Sequence, residues 1–206
     1  MSLNIAATTR YSAVAIALHW ILAILALSMV PVGWWMGDAI LDRDTRAQAL
    51  EVFPLHKATG MTILALTVLR LVWRATHTPP PLPQRMRGWE RTAARATHWL
   101  FYGLLLALPL SGWLYSSVGW SDAFKTFINV PTSWFGLFDI PPVPGVATLD
   151  DDVRRDLGEA AMEVHGKLAW AMLLLAGLHV AAALKHHFID RDDVLTRMVP
   201  LLKPRA

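Results

Sequence analysis

Four stretches of the chain are apolar almost without interruption, separated by polar or Pro-rich segments: Ser12 to Trp35, His56 to Trp73, His98 to Ser117 and Val164 to Leu184. Each approaches the roughly 20 residues that an α-helix needs to cross about 30 Å of hydrocarbon, so the pattern predicts four transmembrane helices. The apolar core of the first continues from Ala13 through Val32 without an early small-residue cleavage site, which predicts a retained helix and not a signal peptide. Pro109, inside the third stretch, is tolerable because neighbouring membrane helices re-satisfy the carbonyl it frees. The connection 77–83 is Pro-rich and expected to be stiff and extended. The connection over about 118–162 opens with Trp120, Phe124, Phe127, Trp134, Phe135 and Phe138, expected at the membrane surface or capping the bundle. Asp151 to Glu163 then reads as an acidic lead-in to the fourth helix. The expectation is a single all-α domain over 1–206, a four-helix transmembrane bundle with helices at about 12–35, 56–73, 98–117 and 164–184.

Composition supports lipid as the solvent. Of 206 residues, 54% are hydrophobic and 17% charged, whereas soluble domains carry about a quarter charged residues. Charge then gives the spans a direction. The N-terminal tail, the connection from Arg70 to Arg95 and the tail from Lys185 hold twelve of the nineteen Lys and Arg, but only four of the sixteen Asp and Glu. The positive-inside rule therefore places both termini in the cytoplasm and the 118–162 segment in the periplasm. The same split explains the basic pI of about 9.5 as topology and attraction to anionic lipid, without a nucleic-acid partner. Absence of cysteine excludes disulfides, thiolate zinc sites, iron–sulfur clusters and thioether-linked haem.

Histidine is the remaining metal-ligand type of note, and an ionisable residue inside a span is a functional candidate by default. His165 and His179 are fourteen residues apart on the fourth helix, which at 100° per residue puts them on one face and about 21 Å apart. Helix direction places His56 at the depth of His165 and His19 at the depth of His179. Two bis-imidazole sites at two depths suit b-type haem, held by axial ligands and packing alone. Zinc normally takes a fourth ligand, and no carboxylate or thiolate is evident at these depths.

The chain resembles the bacterial cytochrome b561 proteins, di-haem four-helix quinone-linked cytochromes. The likeness rests on Arg10-Tyr11-Ser12 with Leu18-His19-Trp20, Leu55-His56-Lys57-Ala58-Thr59-Gly60, Ala96-Thr97-His98-Trp99, Leu108-Pro109-Leu110-Ser111-Gly112, Val164-His165-Gly166 and the run from Leu178-His179 to Lys185-His186-His187-Phe188. It covers nearly the whole chain, the long outer segment least. The resemblance implies that His19, His56, His165 and His179 ligate two b haems per chain. It also implies a multi-pass protein of the bacterial inner membrane that carries electrons from a periplasmic donor to ubiquinone. Superoxide oxidation coupled to ubiquinone reduction, a superoxide:ubiquinone oxidoreductase activity, is attributed to the family.

Further residues fit that chemistry. Arg70, fourteen residues after His56, falls on the same face of its helix at the inner depth, beside a haem propionate or a quinone, unless it snorkels to the headgroups. Lys57 and Lys167 adjoin the outer ligands and could attract a small anion such as superoxide; interfacial anchoring is the alternative. Quinone reduction consumes protons, a task suited to His98, His186 and His187 near the inner edge. His98 is also an alternative ligand opposite His179. Gly60, Gly166 and Gly177 offer little bulk beside a flat macrocycle, or ordinary helix packing. A second reading makes the chain a cytochrome b membrane anchor that receives electrons from a partner dehydrogenase or hydrogenase through the outer loop. A third, a transporter, calls for intramembrane acids that the spans lack.

Overall fold

The structure is a computed structural model that describes residues 10–83, 85–121, 123–128, 130–199 and 201–202. Four helices, α1 (Ala13–Ala39), α2 (Arg46–Thr76), α3 (Gly88–Val118) and α4 (Asp151–Lys185), are each long and apolar enough to cross a membrane. Three begin ten or more residues ahead of their apolar stretches. The hydrophobic pattern marks only the part in hydrocarbon, whereas helix continues outward wherever capping and propensity allow. The Ser12 hydroxyl accepts from the Ala15 amide to start α1, and Glu90 in the first turn of α3 accepts from the Arg87 amide at 3.0 Å. Asp151 and Asp152 sit in the first turn of α4, where acids complement the helix dipole. Pro31, Pro54 and Pro109 all lie within helices.

Consecutive helices pack side by side, while α1 and α4 stand apart and meet through large side chains. The ring centres of Trp34 and Trp170, for example, are 4.5 Å apart. Many apolar residues face outward, with Ile24, Leu174 and Leu178 all at least 60% exposed, a surface that lipid and not water would cover.

The described termini and the α2–α3 connection meet at one end of the bundle, here the terminal end. Trp20 Nε1 donates to the Met198 carbonyl at 2.8 Å and Arg10 to that of Leu202 at 3.0 Å, while Arg197 donates to the Pro81 carbonyl. After α4 a π-helical turn, His186–Asp190, ends at Arg191 with φ of 55°.

The opposite end carries two antiparallel hairpins in the connection that the sequence marks only by its aromatic residues. In the first, β1 (Trp120–Ser121) pairs with β2 (Thr126–Phe127); in the second, β3 (Thr132–Trp134) pairs with β4 (Phe138–Ile140). Gly119, with φ of 72°, turns the chain out of α3. Arg154 Nε then donates to the Val118 carbonyl at 2.7 Å while its guanidinium lies over Phe127. Trp113 Nε1 holds the Pro141 carbonyl at 3.0 Å.

Candidate functional site

At the hairpin end, His56 of α2 and His165 of α4 face each other with ring centres 6.3 Å apart. With a metal–imidazole bond of about 2.0 Å, two imidazoles sharing one ion have ring centres about 6.3 Å apart. His165 Nδ1 lies 3.0 Å from both the Leu108 carbonyl and Ser111 Oγ. As a donor to both, Nδ1 carries the proton and leaves Nε2 as a lone-pair ligand. His56 Nδ1 is buried without a hydrogen-bond partner among the described residues, a polar atom left open to another group.

Backbone glycines make room for both rings. A Cβ on Gly112 would stand 3.2 Å from His165 Cε1, and one on Gly33 would stand 3.3 Å from His56 Cε1. The two imidazoles border a cavity of about 880 Å³ that Gly60, Gly166, Trp34 and Trp170 also line, within the range of about 300–1,000 Å³ usual for cofactor sites.

At the terminal end, His19 of α1 and His179 of α4 repeat the 6.3 Å separation. His98 of α3 is 6.0 Å from His179, so this ring has two candidate partners. Arg70 reaches into the same group. Its Nη2 is 3.4 Å from His19 Nδ1 and its Nε 3.4 Å from the Tyr102 hydroxyl, while Nη1 is buried without a partner among the described residues. A carboxylate such as a haem propionate would satisfy that orphan donor.

The two levels repeat at one interval. Gly33, His56, Gly112 and His165 form the hairpin-end level; His19, Arg70, His98 and His179 form the terminal-end level, each fourteen residues away on the same helix. Between them Leu22, Ala26 and Ile63, packed by Met29, Leu66 and Leu105, form an apolar plug. Beyond Lys57 and Lys167, which stand within two residues of the hairpin-end ligands, no Asp, Glu, Lys or Arg lies between the levels on any helix.

The other candidates are spread out. Lys57 Nζ donates to the carbonyls of Val130 and Pro131, both at 3.0 Å. Its charge stays next to His56 but is committed to the loop. Lys167 pairs with Glu163 on the exposed surface, which offsets its charge. His186 is buried below the terminal level, with Nδ1 2.7 Å from Asp192 and 3.1 Å from Asp190. Glu90 and Asp190 beside it are metal-capable in type, but Lys185 Nζ already sits 2.8 Å and 2.7 Å from them. His187 lies edge-on to Phe188. Sequence reasoning missed Gly33, Gly112, Ser111 and Tyr102; both glycines stand fourteen residues from a histidine on their own helix, an offset whose meaning shows only once the facing rings are known.

Comparison with known proteins gives the family. Residues 10–201 match the family described as prokaryotic cytochrome b561. Cytochrome b561 homolog 2 of Escherichia coli (strain K12) is 37% identical over 191 residues, 92% of this chain and 91% of that protein. Cytochrome b561 homolog 1 of the same organism is 28% identical, over 94% of this chain and 99% of that protein. A Yersinia pestis protein named "Probable superoxide oxidase CybB" is 26% identical, over 93% and 96%. Both imidazole pairs and all four helices fall inside the matched residues, and the chain belongs to the prokaryotic cytochrome b561 family.

Proposed function

We propose that the protein is a di-haem b cytochrome of the bacterial inner membrane that takes electrons one at a time from a periplasmic donor, superoxide in the first instance, and delivers them to ubiquinone. Family membership implies haem b. The observation that carries the two-haem reading is the pair of 6.3 Å imidazole–imidazole separations at opposite ends of one bundle. Bound haem supplies a one-electron iron carrier at each level. The remaining chemistry belongs to the chain.

His56 and His165 hold one group, and Leu108 and Ser111 fix the tautomer of His165. His179 with His19 holds the other, and the apolar plug keeps water out of the interval between them. Arg70 supplies a half-buried positive charge and a buried, open Nη1 donor at the terminal level. His98, on the neighbouring helix and 6.0 Å from His179, is placed to hydrogen-bond a quinone carbonyl and pass on a proton. His186 and His187 extend the titratable groups toward the terminal surface. The balance is two superoxide ions oxidised to two dioxygen molecules, with one ubiquinone and two protons giving one ubiquinol. The charge split puts the terminal end in the cytoplasm, which makes that side the proton source. The name of the Yersinia relative supports superoxide as donor.

The test is purified protein in detergent with a superoxide-generating system and a soluble ubiquinone. Ubiquinol formation that requires the protein supports the proposal. Failure with superoxide, with reduction seen only when a copurified dehydrogenase or hydrogenase is present, replaces it with the membrane-anchor reading.

A further inference from the structure

The second hairpin lies along the flank of α2 through its strand β3. Lys57 holds its start through the carbonyls of Val130 and Pro131, and Trp134 Nε1 donates to Thr62 Oγ1 at 3.0 Å. From Lys57 to Thr62, α2 advances about 7.5 Å toward the middle of its span. Strand β3 runs beside it in the same direction, so the turn that follows, Phe135-Gly136-Leu137, leads the hairpin inward. Lys57 is the last charged residue on α2 before Arg70. Hydrocarbon therefore begins just beyond it, and the turn reaches below that boundary.

The side chains suit such a place. Leu137 is 73% exposed, Phe138 57% and Phe135 48%. Ser133 pairs with Asp139 on one face of the ribbon, and Trp134 pairs with Phe138 on the other. Leu55, Thr62 and Leu69 recur every seven residues on one stripe of α2, and both leucines are more than half exposed. The hairpin turn therefore continues a surface that already faces lipid.

We propose that the β3–β4 hairpin is a wedge seated in the lipid leaflet against α2, with Phe135, Leu137 and Phe138 among the upper acyl chains and Ser133 and Asp139 among the headgroups. A two-stranded ribbon has open edges that cannot be left dry in the hydrocarbon core. A depth of about 5–10 Å, as for interfacial amphipathic segments, keeps those edges within reach of water. Val130 and Thr132 line the His56–His165 cavity, so the wedge is the wall between that cavity and the lipid on this side.

The absence of cysteine makes the test direct. Single variants Leu137→Cys, Asp152→Cys and Leu174→Cys of the haem-loaded protein are placed in phospholipid nanodiscs and treated with a water-soluble maleimide. Asp152, with a side chain 86% exposed on the α4 start, is the water reference, and Leu174, 68% exposed in mid-span, is the lipid reference. Each unit by which an apolar surrounding raises a thiol pKa slows labelling about tenfold. Leu137→Cys is expected to label at least about tenfold more slowly than Asp152→Cys, and a diazirine phospholipid in the disc is expected to crosslink within 135–138. An unchanged b-type absorbance shows that each variant is folded. Labelling at the Asp152→Cys rate, or slow labelling with no lipid crosslink in 135–138, overturns the proposal.

Discussion

Gly112→Ala probes the hairpin-end site through a single methyl group. The new Cβ would stand 3.2 Å from His165 Cε1 and 3.4 Å from Nδ1, so the ring must recede a few tenths of an ångström to reach ordinary contact. It cannot do so freely, because Nδ1 is held at 3.0 Å by Leu108 and Ser111, on the same turn of α3 as the intruding methyl. Overpacking of this kind costs about 1–3 kcal/mol. Since 1.4 kcal/mol is a factor of ten in affinity, one haem should be retained about five- to 140-fold less tightly. The assay is the pyridine haemochrome count per chain after a dilution and wash series, with Gly103→Ala on the same helix as control. A Cβ on Gly103 meets nothing within 4 Å and should raise helix propensity without loss of haem. Gly112→Ala protein that keeps its haem through the wash as the parent does would refute the close approach of α3 to the ligand ring.

Ser111→Ala leaves His165 with only the Leu108 carbonyl as acceptor, a loss of about 0.5–1.5 kcal/mol. A poorer imidazole donor raises the midpoint potential of that haem by tens of millivolts, and a redox titration showing no change or a fall contradicts it. His19→Gln should remove one b-type signal, whereas His98→Gln should keep both haems and slow ubiquinone reduction. The reverse pattern makes His98 the partner of His179. Arg70→Gln removes a half-buried positive charge beside His19 and should lower the midpoint potential of the terminal-end haem, since that charge favours reduced iron; a titration without that fall puts Arg70 elsewhere in the loaded protein.

Helix number and the levels of the four histidines were legible because apolar length and helical period are local properties of the chain. The pairing by depth needed only helix direction, and the structure brings together the pairs it named. The first turns of α2, α3 and α4 were not legible, since outside hydrocarbon a helix carries no continuous apolar signal. The two hairpins escaped for a related reason: strands of two or three residues are too short to show alternation. Gly60 and Gly166, singled out as sources of space, line the hairpin-end cavity, while the close approaches to the ligand rings themselves are at Gly33 and Gly112. Which glycine faces a ring depends on the rotation of each helix against its neighbour, which one helix's own periodicity does not record. The tilted contact of Trp34 with Trp170 beside the cavity joins α1 to α4, which the pattern along either helix alone does not record. The fourteen-residue offset is shared by all four helices, and it emerges only when the residues opposite each histidine are known.

The central claim is two haems, one at each imidazole pair, and the pyridine haemochrome count with the reduced-minus-oxidised spectrum tests it most directly. The purified parent should give two haem b per chain with two b-type components. His165→Gln should give one haem, with the component assigned to the terminal end intact. One haem or none in the parent, or two in His165→Gln, would contradict the arrangement.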